Sequence, residues 1–466
     1  MIVYLLFVLA LLVLAYWIAL QIFSRQDPEP SFSNLLAASA SPSLPADFLL
    51  GTATSAHQVE GNNLHNDWSD FEKEGKVARG EQSGLACDAW NRFDQDLARM
   101  KELGADSYRF SLEWSRLEAT EGTHDEAAWD HYAEQLQKLR EAGITPMVTL
   151  LHFTLPRWIS ARGGVTAPDF PDKFGAFAAE AARRLFAMVD LWTTINEPNV
   201  QMFMGYVSGE WPPEKKSPEE AARAFVGLLK AHAAAARAIR HVSPEAQIGV
   251  AMNLVSFAPS RRAWLPDWLA ARFAATTYNW AFYDAIQSGR IRLRVPGQAP
   301  LDEPCEDLLG SVDFLGINYY TRNIVRYAPT KPGGVQLKPG SREQSDLGWE
   351  IYPEGLLKLI RHAWRRYQLP IYITENGLAD ASGEKRGPFL RAHLYAIHRA
   401  IEEGAKVLGY FHWSLLDNFE WHHGYTPRFG LYRMDYATQS RTATPAVEVF
   451  RQLSHKRGEP DTPAGE

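Results

Sequence analysis

Leu191-Trp192-Thr193-Thr194-Ile195-Asn196-Glu197-Pro198 is a short β-rich apolar run that stops on an amide, a carboxylate and a proline. A second run, from residue 370, ends Ile373-Thr374-Glu375-Asn376-Gly377, with carboxylate and amide in reverse order. Near-continuous apolar character of this kind suits strands of a parallel sheet covered on both faces. Six further runs occupy 48–54, 106–114, 146–153, 248–254, 312–320 and 407–414, which makes eight. Helical segments fall between them. Leu390, Leu394, Ile397 and Ile401 step by four, three and four, one apolar stripe along a helix, and 130–142 and 174–188 behave similarly. Eight strands alternating with helices predict an α/β fold, a closed (β/α)8 TIM barrel, in which reactive groups collect at the C-terminal ends of the strands. The connections 255–311 and 326–349 are read as loops or extra helices around that mouth.

In such a barrel Glu197 and Glu375 both stand at the mouth. Two carboxylates facing each other across a ligand are what cleavage of a glycosidic bond requires: one protonates the departing oxygen, the other attacks the anomeric carbon. A lone Glu beside Asn is ordinarily a solvated strand end or a helix cap. The remaining strand ends weaken that bland alternative. Gln58 and Glu60 follow the first run, the second contains Tyr108-Arg109-Phe110-Ser111, and the third gives His152-Phe153. The sixth ends Asn318-Tyr319-Tyr320, and the eighth leads into Trp413 and then Asp417-Asn418-Phe419-Glu420-Trp421. Taken singly, His152 reads as a structural histidine, Arg109 as the partner of a buried carboxylate, and Trp413 and Trp421 as core aromatics. Together they bring amide, imidazole, carboxylate and indole groups to one face, a mixture suited to ring hydroxyls and the C–H face of a sugar.

Composition narrows the classes. The 466 residues carry a formal charge of −7, which gives no electrostatic case for nucleic acid as a partner. Two cysteines, Cys87 and Cys305, exclude a multi-disulfide scaffold and any cysteine-rich zinc or iron–sulfur site. Residues 1–23 contain no charged side chain, and about 23 helical residues at about 1.5 Å each exceed the roughly 30 Å hydrocarbon core of a bilayer. A single N-terminal transmembrane helix is therefore expected over 1–23 as a membrane anchor. A flexible Ser-, Ala- and Pro-rich tether is expected over 24–45, the barrel over 46–454 and a disordered tail over 455–466. A cleaved signal peptide is the competing reading, because Ala37, Ala38 and Ala40 offer small residues. Against it stand the missing basic n-region and an apolar stretch longer than a usual h-region. The side of the membrane is left open, since Arg25 is followed by Asp27 and Glu29.

At the strand-end residues the chain resembles glycoside hydrolase family 1, the retaining β-glucosidase and β-galactosidase family on a (β/α)8 barrel, over about 46–452. The motifs that carry the resemblance are Ser55-Ala56-His57-Gln58-Val59-Glu60-Gly61, Tyr108-Arg109-Phe110-Ser111, Leu151-His152-Phe153, Thr194-Ile195-Asn196-Glu197-Pro198, Asn318-Tyr319-Tyr320, Ile373-Thr374-Glu375-Asn376-Gly377, and 413–421. They occur in the family's order. The resemblance implies Glu197 as general acid/base and Glu375 as nucleophile. Arg109 and Tyr320 would sit against the nucleophile, where a cation and a phenolic donor favour an ionised carboxylate.

The resemblance further implies that Asn196 contacts the 2-hydroxyl of the sugar, that Gln58, His152, Asn318, Glu420 and Trp421 bind other parts of it, and that Trp413 forms the stacking floor. In a retaining mechanism the two carboxyls lie about 5 to 5.5 Å apart and a covalent glycosyl-enzyme forms. No metal or organic cofactor is implied. Glu420 points to an unphosphorylated glycone, because a carboxylate there would repel a 6-phosphate. The pair Glu197 and Glu375 argues against the thioglucosidase branch, in which the acid is replaced. The expected substrate is thus a β-D-glucoside or β-D-galactoside. The anchor raises a glycolipid as substrate and, as an alternative activity on the same residues, transglycosylation between glycolipids. A silent sugar-binding module on the same fold is the third reading. Trp211, Trp264 and Trp268 are placed in or near loops, with ordinary packing favoured over an aglycone-lining role.

Overall fold

A computed structural model describes residues 1–26, 28–30, 42–294 and 299–458. The eight apolar runs are eight strands: β1 (Leu49–Ala53), β2 (Ser107–Ser111), β3 (Thr145–Leu151), β4 (Leu191–Asn196), β5 (Gln247–Pro259), β6 (Phe314–Tyr327), β7 (Ile371–Asn376) and β8 (Val407–Trp413). Each is parallel to its neighbours in chain order. The sheet closes where Leu49, Leu50, Gly51, Thr52 and Ala53 of β1 pair with Gly409, Tyr410, Phe411, His412 and Trp413 of β8. Closure leaves no edge, and β2, β4 and β7 are buried at every position. Met147, Leu191, Phe314, Tyr372 and Phe411 fill the interior. Gly249 makes room there, because a Cβ at this position would overlap the Phe314 ring.

The helix preceding the barrel is α1 (Ile2–Gln26). The outer ring contains α2 (Ala89–Leu103), α3 (Glu126–Glu141), α4 (Phe170–Leu185), α5 (Pro218–Val242), α6 (Leu265–Ala274), α7 (Ala281–Ser288), α8 (Pro353–Tyr367), α9 (Arg386–Glu402) and α10 (Pro445–His455). Local chemistry starts them where they start. The Ser217 hydroxyl accepts the Glu220 N–H at 3.3 Å and Pro218 opens the first turn of α5, with Glu219 and Glu220 there and Arg240 and His241 in the last turn. On α9, Leu390, Leu394 and Ile397 are fully buried against the barrel.

Two expectations need correction in the long connections. β5 and β6 stay paired beyond the barrel as far as Pro259 and Val325, and the strand Val335–Pro339 adds antiparallel to β6. The connections expected to be loops or helices therefore carry sheet that walls one side of the mouth, since the β-rich runs continue past the polar strand ends. Trp268 lies on α6 and is buried rather than in a loop, while Trp264 immediately before that helix is 44% exposed.

The chain ends also differ from expectation. α1 continues to Gln26, past the expected boundary at 23. Its apolar face is exposed, but it touches the body: the Tyr16 hydroxyl donates to Ala263 O at 3.2 Å and accepts the Leu265 N–H at 2.9 Å. The Phe23 ring lies 6.2 Å from that of Trp268. Of the expected tether, Glu29 forms an ion pair with Arg262 at 2.7 Å and Leu44 is buried, so both ends are packed. Residues 31–41 lie outside the described residues. The expected tail is packed at its start, where Arg457 donates to Phe48 O at 2.7 Å and Gly458 to Leu44 O at 2.9 Å. Its remainder, 459–466, lies outside the described residues.

Candidate active site

The end of β4 shows how the backbone presents a side chain. Asn196 is the last strand residue, and Glu197 turns into a left-handed conformation (φ 44°, ψ 57°) before the short helix Pro198–Met202. The Glu197 N–H is held by Ala251 O at 2.7 Å. Such a conformation costs a non-glycine residue on the order of 1–3 kcal/mol, and strain of this kind clusters at functional sites. Phe153 (φ 71°) and Trp421 (φ 49°) adopt positive φ at the same mouth. At the end of β7, Gly377 lets the chain pass β8: a Cβ there would overlap the Trp413 carbonyl oxygen.

The side chains form one connected network. Arg109, 1% exposed on β2, donates through Nη1 to Glu375 Oε1 at 2.6 Å and through Nη2 to Asn196 Oδ1 at 2.7 Å. Tyr320 donates its hydroxyl to the other oxygen of Glu375, also at 2.6 Å. Asn318 bridges the halves, donating to Asn196 Oδ1 at 3.1 Å and to Glu197 Oε1 at 2.9 Å. Asn253 gives Glu197 Oε1 a second amide donor at 3.0 Å. Asn196 Nδ2 in turn donates to His152 Nε2 at 3.1 Å, which puts the imidazole proton on Nδ1. That nitrogen is buried and without a partner among the described residues.

Above this layer lies a cavity of about 540 Å³ lined by His152, Asn196, Glu197, Tyr320, Glu375, Trp413, Glu420 and Trp421, among others. His152 stacks with Trp413 (centroids 5.9 Å apart) and with Trp421 (6.0 Å). Trp421 rests on His57, whose Nε2 is 2.7 Å from Glu72 Oε1. Arg109, Asn318 and Gln58 sit beneath the wall rather than on it. Gln58 receives Ser55 Oγ at 2.6 Å and donates to Asn418 Oδ1, Phe419 O and Glu420 Oε2 at 3.0, 2.9 and 3.3 Å, which fixes the chain segment carrying Glu420. Glu60 points away, to Tyr132, Arg116 and Asn63. Trp211 both packs and lines the cavity: it is buried and donates to His422 Nδ1 at 2.7 Å. Among the described residues, no group of three His, Cys, Asp or Glu side chains is arranged to hold a metal ion.

The electrostatics separate the two carboxyls. Burial, reinforced by the charge of Glu375, pushes Glu197 up to about 8 against the pull of two amide donors. Burial also raises Glu375, but there a cation opposes it first and the Tyr320 hydroxyl next. Burial, then Glu375 and Glu197, push Glu420 up to about 8. His152 is held well below its usual range by burial and by Arg109, so it is neutral.

Two contributors escaped the sequence reading. Asn253 lies inside the fifth apolar run, where an isolated amide near the strand end was the available signal. Tyr278, whose hydroxyl donates to Asn253 Oδ1 at 3.2 Å, comes from an irregular helical turn and has no sequence signature.

A sequence profile of Glycosyl hydrolase family 1 matches residues 40–459. The chain belongs to that family. Its relatives within family 1 include "Beta-glucosidase A" of Thermotoga maritima, 34% identical over 422 residues (85% of this chain, 94% of that protein). Another is the "Beta-galactosidase" of Sulfolobus acidocaldarius, 30% identical over 483 residues (90% of this chain, 96% of that protein). Among solved structures, the Thermotoga maritima β-glucosidase in complex with glucoimidazole superposes with a TM-score of 0.84 at 32% identity, covering 89% of this chain and 99% of that one. Family 1 membership and a closed eight-stranded barrel thus agree across sequence and structure.

Proposed function

We propose that the protein is a retaining β-glycosidase acting on unphosphorylated β-D-glucosides and β-D-galactosides. The observation that carries this is the contrast between two buried carboxyls in one network, one contacted by a guanidinium and a phenol, the other by amides alone. Glu375, ionised beside Arg109 and Tyr320, attacks the anomeric carbon and forms a glycosyl ester. Glu197, protonated in its buried site, gives its proton to the departing glycosidic oxygen. Glu197, now a carboxylate, takes a proton from water, whose oxygen attacks the same carbon and releases Glu375. Asn196 would hydrogen-bond the 2-hydroxyl, a contact that strengthens as positive charge develops on the ring. His152 offers its unpartnered Nδ1–H to a sugar hydroxyl, Trp413 and Trp421 offer apolar faces, and Gln58 and Asn318 hold Glu420 and Glu197 in place. Nothing in the site favours a lipid hydroxyl over water as acceptor.

The substrate range is supported by the names of the family 1 relatives, a β-glucosidase and a β-galactosidase. Glu375→Ala should abolish turnover of p-nitrophenyl β-glucoside and β-galactoside, and a 2-deoxy-2-fluoro glycoside should leave a covalent adduct on Glu375 of the unmodified enzyme. Unchanged activity in the variant would sink the assignment.

We further propose that α1 is an uncleaved membrane anchor, the barrel being the single globular unit. Its support is the 22-residue span Tyr4–Arg25, none of whose apolar window is buried in the protein. The reading predicts an intact N-terminus and retention in the bilayer after extraction at alkaline pH.

A further inference from the structure

A side-chain amide has a donor end and an acceptor end, so the end that meets Glu197 decides where that carboxyl can keep a proton. For Asn318 the choice is forced through a chain of contacts. Arg109 has only donors, and its Nη2 lies 2.7 Å from Asn196 Oδ1, so that atom accepts. Asn318 Nδ2 donates to the same Oδ1 at 3.1 Å and, with its other hydrogen, to Glu197 Oε1 at 2.9 Å. The Asn318 oxygen accepts the Thr374 hydroxyl at 2.6 Å. One side of Glu197 Oε1 is therefore met by an incoming N–H whether or not the carboxyl holds a proton.

The second side is met by Asn253 Nδ2 at 3.0 Å. Behind this amide stands Tyr278, whose hydroxyl donates to Asn253 Oδ1 at 3.2 Å, its hydrogen-bond partner among the described residues. Turning the amide over would set Oδ1 against Glu197 and leave the phenolic proton without that acceptor. The rings of Phe203 and Phe257, with centroids 6.4 and 6.1 Å from that of Tyr278, pack edge-on and offer no oxygen in its place. Asn199 ties the two segments together, its Nδ2 donating to Asn253 O at 2.7 Å and to Tyr278 O at 3.2 Å.

We propose that Asn253, held by Tyr278, is a positioning residue that puts the transferable proton of the acid on Glu197 Oε2. Two amide donors use both lone-pair positions of Oε1, and a proton there would run into one of them. Oε2 has no hydrogen-bond partner among the described residues, and Glu197 lines the cavity, so Oε2 is left for the glycosidic oxygen. In the opposite orientation Asn253 would accept the proton from Oε1 and hold it away from the substrate. The inference rests on Glu197 being the general acid and concerns what aims its proton.

The charged and titratable groups that face Glu197 are Glu375 of β7, Arg109 of β2, Tyr320 of β6, Glu420 beyond β8, and Tyr278. Asn253→Ala leaves all of them in place and removes one neutral donor. That donor favours the ionised form of Glu197, so its loss should move the basic limb of the kcat/KM profile to higher pH. The expected shift is about one unit, the difference between a hydrogen bond to a charged and to a neutral group. A merely loosened pocket has the opposite sign: water admitted around Glu197 relieves the burial that keeps its proton on, and the limb falls.

The test follows kcat/KM against pH for phenyl and 2,4-dinitrophenyl β-glucoside in the full chain and in Asn253→Ala, Tyr278→Phe and Glu197→Gln. In Asn253→Ala the phenyl glucoside, whose departure needs the proton, should lose about two- to tenfold more than the dinitrophenyl glucoside, whose departure does not. Tyr278→Phe keeps the amide and should shift both readouts in the same direction by less; it decides alone if melting curves show Asn253→Ala unfolded. A basic limb that stays or falls, or equal losses on the two substrates, overturns the proposal. A Tyr278→Phe enzyme indistinguishable from the parent overturns the part assigned to Tyr278. Glu197→Gln separates premise from inference. Persistence of its basic limb removes Glu197 as the acid, whereas loss of that limb beside an unmoved one in Asn253→Ala removes this inference alone.

Discussion

At the scale of single residues, the chemistry lies in how differently two glutamates are solvated by protein. Tyr320 donates to Glu375 at 2.6 Å, and a hydrogen bond to a charged group is worth about 1.5–3 kcal/mol. Tyr320→Phe should therefore slow turnover by about 10- to 150-fold. The lost phenol favours the ionised form of Glu375, the proposed nucleophile, so the acid limb of the kcat/KM profile should move to higher pH, as a titration of rate against pH will show. In the proposed mechanism Glu197 acts in the first step only while it holds its proton. That form is present below its raised value of about 8 and is lost as pH climbs through it, so the basic limb should fall near there. Glu197→Gln should erase that limb and cost about 10²- to 10⁴-fold with an unactivated leaving group, and less with a nitrophenyl leaving group that needs no proton. Retention of the basic limb in this variant would transfer the acid role to another group.

Elements decide where those residues stand, and they were legible to different degrees. All eight strands could be read because a barrel strand is buried on both faces, so an apolar run and its polar end contrast sharply. Asn196, Glu197 and Glu375 stood out for that reason. Asn253 did not, because its amide is embedded in a run whose apolar character dominates. Tyr278 did not either, because a turn of irregular helix brings it to the site. The outer halves of β5 and β6 were missed because their pairing depends on each other and on Val335–Pro339, from a separate part of the chain. Close passage between elements is also a constraint on sequence. Gly377→Ala would drive a methyl into the Trp413 carbonyl, so β7 and β8 must part at the mouth. The variant should lose thermal stability and kcat together, whereas a purely local change would lower only one. Melting curves beside kinetics will distinguish the two.

For the whole molecule, the packing of α1 against the barrel would set how the enzyme sits at a bilayer under the proposed anchor. Tyr16 binds the loop after β5 through two hydrogen bonds, Glu29 is paired with Arg262 and also bonded to Tyr352, and Leu44 is buried, its carbonyl accepting the Gly458 N–H. Glu29 and Leu44 are therefore both held by the body, and under the proposed anchor these contacts, not the length of chain between them, would set how far the catalytic mouth stands from the lipid. Inserting ten Gly and Ser residues there should leave unchanged the energy-transfer distance from a dye on the barrel to labelled lipid, while Tyr16→Ala together with Glu29→Ala should lengthen and broaden it. With α1 as the proposed anchor, the Tyr16 hydroxyl would act less like a knot in a leash than like a bearing seat: it would give an enzyme held near a surface a fixed heading, with a mouth that samples a single slice of the space above it.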